Sequence, residues 1–566
     1  MSKHLITSAL PYANGPIHFG HLAGAYIPGD VYYRHLKNCG EETIHICGSD
    51  EHGVAIMLNA KKANKNYKEY VDEWHEQHKR VFEKYDIVHD YFGQTSSEYH
   101  AEEVKEWFNS LNEKGYIGTK DGEQLFCNDC KNHLPDRFVE GQCYKCDYES
   151  ARGDECPNCG ELIDSIKLIN PVCKICDSQN ISQVTVTQYY LLMSKFHSEF
   201  REWFNSKKDF WRKTVWPYVN SLTEKELVDR AISRDLDWGI DVPLAEAKGK
   251  KLYVWFDAPI GYVSNTKEFF KSVGRDDDYI NDWWKNDDVK ITNFIGKDNI
   301  IFHTVIFPMM SMASGKANPV TNVPANQYLN LCGKQFSKSS GWYVDAEEAV
   351  DKFGSDAFRY YLINILPDTT DSSFTWEGLQ AKVNNELANN IGNLVNRCLK
   401  FWAKNWKEGL DAKYFSEFTN SKNGVELKNS IIEHKALLDK VEIRKGLEKV
   451  MEIGHTANTF FSDREPWAVF KTDEHKAAGI IAETGIYILC LSVLLKPYLP
   501  KLSSSILELY GDKVTDEIQS KIYNGDFSVI DQLFSNGYSL TGKPKALVPK
   551  IEDDVINELN EQLKEK

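Results

Sequence analysis

Leu5-Ile6-Thr7-Ser8-Ala9-Leu10, running on through Pro11-Tyr12-Ala13-Asn14-Gly15-Pro16-Ile17 to His18-Phe19-Gly20-His21, decides the reading of this chain. The first six residues are an apolar run of strand length. Residues 11–20 punctuate it with proline and glycine, and a helix is predicted from about His21. A second apolar run, residues 43–47, ends in Gly48-Ser49-Asp50-Glu51-His52-Gly53. Strand, helix, strand in this order predicts an α/β fold built on a doubly wound parallel sheet. Ligands of such sheets sit beyond the C-terminal strand ends, where both polar turns would lie.

From about Gly115 the texture changes. Four Cys-x-x-Cys pairs fall between Cys127 and Cys176 among short, polar, turn-rich segments. Strand-like runs return at residues 251–256 and 289–295. A Rossmann-like catalytic domain is therefore predicted over 1–114 and 231–383, interrupted by a zinc-knuckle insertion over 115–230. After about Asn384 glycine becomes sparse. Leu387, Ile391, Leu394 and Cys398, then Leu437, Val441, Ile443 and Leu447, recur at helical spacing, which predicts an α-helical bundle over 384–540. In a tail over 541–566, Ile551, Val555, Leu559 and Leu563 are four apart, the face of one packing helix. The apolar run at residues 485–495 is shorter than a bilayer crossing and reads as a buried helix of the bundle.

A chain of 566 residues exceeds one ordinary core and suits about three or four domains. With 42% hydrophobic and 27% charged residues it is a folded protein rather than a disordered one. A net charge of −16 argues against indiscriminate coating of nucleic acid, but not against a partner held by a local basic surface. Residues 1–15 lack the basic start and apolar run of a secretion signal. Thirteen cysteines, eight of them between Cys127 and Cys176, suit bound metal in a reducing compartment. A cytoplasmic location with no membrane partner is the expectation.

His18 and His21 are three apart at a strand-to-helix turn, so both imidazoles share a helical face above open backbone N–H groups. Both can donate to one phosphate, and Gly20 lets a ligand approach the backbone. Far downstream, Gly333-Lys334-Gln335-Phe336-Ser337-Lys338-Ser339-Ser340-Gly341 is a polar loop flanked by glycines. Such a loop can carry a cation onto leaving phosphates. The pair resembles the HIGH and KMSKS signatures of class I aminoacyl-tRNA synthetases. Phe19 replaces isoleucine, and Gln335 and Phe336 stand where lysine and methionine are usual. Within that class the chain resembles methionyl-tRNA synthetases over nearly its whole length, through residues 9–15, 48–53, 253–262 and 294–303.

That resemblance implies ATP-dependent activation of L-methionine and its transfer to tRNA(Met). It assigns catalysis to His18, His21 and Lys338, with Gly20, Ser337 and Ser339 completing the ATP site and magnesium accompanying the phosphates. The methionine pocket would be Leu10, Tyr12, Asp50, Trp255, Ala258, Pro259, Tyr262 and His303. Aromatic and small apolar groups suit a soft, unbranched thioether. A hydroxyl and an imidazole would each offer the sulfur a weak hydrogen bond, and Asp50 would pair with the substrate ammonium.

The eight clustered cysteines suffice for two structural Cys₄ zinc sites, and their spacing leaves tandem and nested pairing open. The resemblance implies nesting: Cys143, Cys146, Cys156 and Cys159 hold the first zinc, and Cys127, Cys130, Cys173 and Cys176 the second. Redox-active dithiols are the rival reading, disfavoured by the repeated spacing. Asn393 and Arg397 share a helix face, and Trp467 follows Arg464-Glu465-Pro466 near another helix start. The resemblance implies that these three read the anticodon, by hydrogen bonding and base stacking. Many relatives carry a further domain that makes dimers, and this chain stops soon after its bundle, so a monomer is expected. Two other classes compete. A zinc- and RNA-binding protein on this fold would not turn over ATP, and a simple adenylyltransferase has no use for Asn393, Arg397 and Trp467.

Overall fold

The computed structural model describes residues 2–153, 156–159, 163–275, 279–336 and 341–564. In chain order, the strands that position the site are β1 (Lys3–Ser8), β2 (Glu42–Ser49), β3 (Tyr91–Gln94), β4 (Ile117–Cys127), β5 (Ile181–Leu191), β6 (Val289–Gly296) and β7 (Ala325–Asn326). All but β4 and β5 form one parallel sheet in the spatial order β7-β6-β1-β2-β3. Leu5 on the central strand pairs with Ile291 on one side and Ile44 on the other. The order reverses between β1 and β6, so the loops leaving these two strands part and open a crevice at their C-terminal ends.

The helices needed below are α1 (Ile27–Asn38), α2 (Glu98–Glu113), α3 (Gly261–Ser272), α4 (Ser355–Asn364), α5 (Trp376–Lys382), α6 (Asn393–Asn405), α7 (Lys422–Asp439), α8 (Ile443–Arg464), α9 (Glu474–Leu495) and α10 (Asp553–Lys564). Alternation along the strands splits the core in two. Ile6 packs with Val31 and Leu36 of α1, and Leu5 and Ile44 pack with Trp107 of α2 and Val263 of α3. The α1 side continues without a break into the helical region.

Three expectations need correction. Of residues 251–256 only the start is strand: Lys250–Leu252 pairs antiparallel with Ser233–Asp235, and Val254–Asp257 then turns helical. The composition favours a strand, but burial of Phe256 and a tie from Asp257 to His52 override it. Secondly, helix α9 is 22 residues long, reaching back to Glu474, and passes by length and composition as a membrane span. Its most apolar stretch is 89% buried inside the protein, so packing, not shortness, makes it a core helix. Thirdly, α10 buries Ile556, Leu559 and Leu563, while Val555 stays half-buried at the edge of the contact face.

Helix α10 docks on α5. Gln380 Nε2 donates to the Ile551 carbonyl at 3.2 Å, and Asn384 exchanges two 2.8 Å bonds with the Ile551 backbone. A second tie across the molecule is Arg359 of α4, which is fully buried. Its Nε donates to the Tyr498 carbonyl at 2.6 Å, one terminal nitrogen to Asp30 Oδ2 at 2.7 Å and the Pro497 carbonyl at 2.9 Å, and the other to the carbonyls of Tyr85 and Asp86. Every guanidinium N–H is thereby used. His35 of α1 makes a third tie, engaging Tyr523 Oη at 2.9 Å and Asp439 of α7 at 3.0 Å.

The β4–β5 pair is an antiparallel ribbon in register from Ile117 opposite Leu191 to Cys127 opposite Ile181. The cysteine-rich segment lies between these strands.

Candidate active site

Two sides of the crevice carry the residues singled out above. On the first, the turn after β1 runs into a one-turn helix, Phe19–His21, and a π-helical turn, Leu22–Tyr26, before α1 begins. The Gly20 N–H donates to His18 Nδ1 and the His18 N–H to His21 Nδ1, both at 3.2 Å. An Nδ1 that accepts leaves the neutral ring's proton on Nε2, so both rings direct an Nε2–H away from their own backbone. The rings stack at 3.7 Å between centroids. A Cβ on Gly20 would lie 3.0 Å from the His18 ring, which makes glycine the residue that fits there.

Both departures from the usual signatures find a place. Phe19 is fully buried between Phe374 at 4.5 Å and Phe358 at 5.1 Å, an aromatic box that takes a larger ring than isoleucine. Phe336 stacks face to face on His18, at 4.6 Å and 3° between planes. The phosphate-facing histidine thus sits in a three-ring column whose last member comes from the downstream loop. Ser337, Lys338 and Ser339 lie outside the described residues.

On the second side, Tyr12 and Asp50 prolong the β1–β2 pairing: Ala13 N–H donates to the Asp50 carbonyl at 2.8 Å, and Asp50 N–H to that of Pro11 at 2.9 Å. A Cβ on Gly261 would meet Leu10 at 2.9 Å, so Leu10 lies directly against the start of α3. Ala258 and Pro259 are buried beside it, and Trp255 stacks on Phe302 at 3.7 Å. Tyr262 Oη and His303 Nε2 are 2.7 Å apart, and His303 Nδ1 lies 3.0 Å from the Asn299 carbonyl. A carbonyl only accepts, so Nδ1 carries the imidazole proton and the Tyr262 hydroxyl donates to Nε2. Burial pushes His303 down to about 4, which keeps it neutral. The expectation that hydroxyl and imidazole each spare a proton for sulfur is corrected: both protons are committed. What this pair presents is two ring edges, which suit a polarizable sulfur.

Sequence reading missed the polar groups behind this pocket. His52 Nδ1 donates to Asp257 Oδ2 at 2.5 Å, and Trp238 Nε1 to the Glu51 carbonyl at 2.6 Å. His52, His100 and Asp257 are far apart in the chain and carry no motif. Two ionisable residues inside buried turns were the one available signal.

In the insertion the cysteines form two nested tetrads. Cys127–Cys176 and Cys130–Cys173 Sγ pairs lie 3.6 and 3.7 Å apart, and Cys143–Cys159 and Cys146–Cys156 pairs 3.9 and 3.6 Å. All four sulfurs of each set lie within 4.8 Å of one another. A tetrahedral zinc with bonds of about 2.3 Å needs edges of about 3.8 Å, so both sets fit the ion. Nesting follows from the ribbon: with Cys127 opposite Ile181, the outer pairs meet where the strands end. The Asn158 amide and backbone N–H groups hold the Cys146 thiol down at about 6, the state a metal ligand needs.

In the helical region, Asn393 is exposed at the start of α6, and the Arg397 guanidinium lies 4.7 Å over the Trp467 ring and 5.2 Å from Phe461. Glu465, at φ 40°, makes the left-handed turn that presents Pro466 and Trp467. A groove of about 340 Å³ lies beside them, lined by Asn385, Asn389, Asn390, Met451, His455 and Asn458 among others.

Comparison with known proteins agrees with this arrangement. The family model described as tRNA synthetases class I (M) matches residues 4–399, and that of the anticodon binding domain of methionyl tRNA ligase matches residues 417–566. The methionine–tRNA ligase of Pelodictyon phaeoclathratiforme is 36% identical over 571 residues, spanning 99% of this chain and 80% of that protein. The Pyrococcus furiosus enzyme of the same name is 39% identical over 518 residues, spanning 89% and 71%. In fold, the chain is similar to Mycobacterium tuberculosis methionyl-tRNA synthetase solved in complex with methionyl-adenylate, with a TM-score of 0.77 at 23% identity, covering 97% of this chain and 100% of the other. The chain belongs to the methionine–tRNA ligase family of class I tRNA synthetases.

Proposed function

We propose that this protein activates L-methionine with ATP to methionyl-adenylate and transfers the methionyl group to tRNA(Met), working in the cytoplasm. The observation that carries the reading is one crevice flanked by the His18–His21 stack and by the Asp50, Tyr262 and His303 pocket. The two Nε2–H groups face triphosphate oxygens, and Lys338 adds a cation as pyrophosphate departs. Magnesium accompanies the triphosphate. The methionine carboxylate attacks the α-phosphorus in line, so no protein nucleophile is required and the chain contributes positioning and charge. Asp50 receives the ammonium group, while Leu10, Tyr12, Trp255, Ala258 and Pro259 enclose the thioether beside the two ring edges. The terminal ribose hydroxyl of the tRNA then attacks the adenylate.

Amino-acid-dependent exchange of labelled pyrophosphate into ATP tests the first step, with all twenty amino acids surveyed. Methionine alone should drive it. Exchange with another amino acid overturns the pocket assignment, and none at all favours the binding-protein reading. Trp467, backed by Arg397, fits a stacking platform for an anticodon base, with Asn393 and the amide-lined groove close by. Trp467→Ala should leave exchange intact and cut charging of tRNA(Met) by about 5- to 150-fold, the worth of one stacked base. Equal losses in both assays would mark Trp467 as structural.

The two cysteine tetrads hold structural zinc, each with four thiolates and no open position. Metal analysis should give two ions per chain. Cys143→Ser and Cys127→Ser should each lower the count by one, and loss of both ions from the Cys143 variant would refute independent sites.

A further inference from the structure

Behind the amine end of the pocket lies a buried acidic shell that the reaction so far leaves without a use. Asp50 is 7% exposed and Asp257 0%, and the Oδ1 atom of each has no hydrogen-bond partner among the described residues. Asp257 Oδ2 takes the 2.5 Å bond from His52, and His100 Nε2 lies 3.8 Å from the same oxygen. This contact joins the turn after β2, which carries Asp50, to the Val254–Asp257 turn, which carries Trp255. The third carboxyl of the shell, Glu51, is satisfied: it accepts from Ser49, Ser96 and Gln94. Among the described residues, the ion pairs of Glu51 and Asp257 are all with histidines, and Asp50 has none.

We propose that Asp50 and Asp257 act as one carboxyl pair at the amine subsite, holding a single proton between them that the substrate's ammonium group displaces on binding. The inference rests on the methionine-binding reading above. Two buried carboxylates cannot both ionise cheaply without a cation, and His52 serves only one of them. Burial, and then the Asp257 charge, raise the Asp50 carboxyl well above the usual range. Against its own burial, His52 and then His100 hold Asp257 below it. Asp257 therefore carries the charge and Asp50 the proton. The other titratable groups facing the pair are Glu51 and His52 on the same turn, His100 of α2, Tyr12 after β1 and Tyr262 of α3. Burial keeps both tyrosines neutral at ordinary pH. An entering ammonium supplies the missing cation, Asp50 ionises, and its proton leaves to solvent, so charge balances. Asp257 is a positioning residue here, acting through Asp50.

Titration calorimetry of the zinc-loaded full chain with L-methionine, at pH 7 in two buffers of different ionisation enthalpy, counts the protons released. The wild type should release about one per methionine bound, and its affinity should rise with pH by up to about tenfold per unit. Asp257→Asn removes the fixed charge, so Asp50 ionises in the free protein; methionine should bind with the release lost. Binding without proton release in the wild type overturns the pair, as does undiminished release by Asp257→Asn. Absence of any methionine binding overturns the pocket reading and the pair together. The wild-type measurement needs no variant, so it decides the matter even where Asp257→Asn fails to fold.

Discussion

Replacing Arg359 with methionine should destabilise the protein by about 3–5 kcal/mol, the usual cost of leaving a buried charge without its partner. Asp30 is 0% exposed, and Arg34 and Arg359 together hold its carboxyl below the ordinary range despite burial. The substitution removes one of these cations and orphans four backbone carbonyls that Arg359 now satisfies, those of Tyr85, Asp86, Pro497 and Tyr498. Each buried orphan adds to the penalty. Denaturant unfolding measures the loss. Asp30→Asn in the same background should recover part of it, because the stranded charge is then gone. A single-variant loss below about 1 kcal/mol would show that solvent reaches the site and that the buried pin is unimportant.

His21→Ala should depress adenylate formation by about 100- to 1,000-fold, the range for removing one preorganised donor from a developing charge. The His21 ring offers its Nε2–H and also backs His18 at 3.7 Å, so the alanine removes a donor and a support together. Phe336→Leu separates these contributions. It strips only the far ring of the column and should cost less than about tenfold. Pyrophosphate exchange reports both variants, and methionine affinity should be unchanged in each, since the amine and thioether contacts lie across the crevice. A loss below about threefold for His21→Ala would remove the histidine from the chemistry.

The doubly wound sheet was legible because β1, β2 and β6 are apolar runs followed by polar turns, the pattern that strands buried on both faces impose. The helical region was legible from its 3.6-residue periodicity. Residues 251–256 misled because Tyr253, Val254, Trp255 and Phe256 favour strands, while the bond from His52 to Asp257 decides the conformation through a partner 205 positions away. The cysteine nesting was out of reach of spacing for the same reason: it depends on the register of β4 on β5. Phe336 stood out only as a departure from a signature, and its stacking on His18 needed coordinates. The pocket residues gathered from four segments do meet, but the proton accounting at Tyr262 and His303 depends on the Asn299 carbonyl, which no motif marks.

The chain passes from the sheet to the helical region once, through α5, yet the two halves are also pinned by Arg359 and strapped by α10. A joint fixed at three places does not swing. The separation between the crevice and the Trp467 platform is then a built-in length, and the protein gauges its tRNA as a calliper gauges a rod: a nucleic acid that reaches only one jaw is held by half the contacts and leaves before reaction.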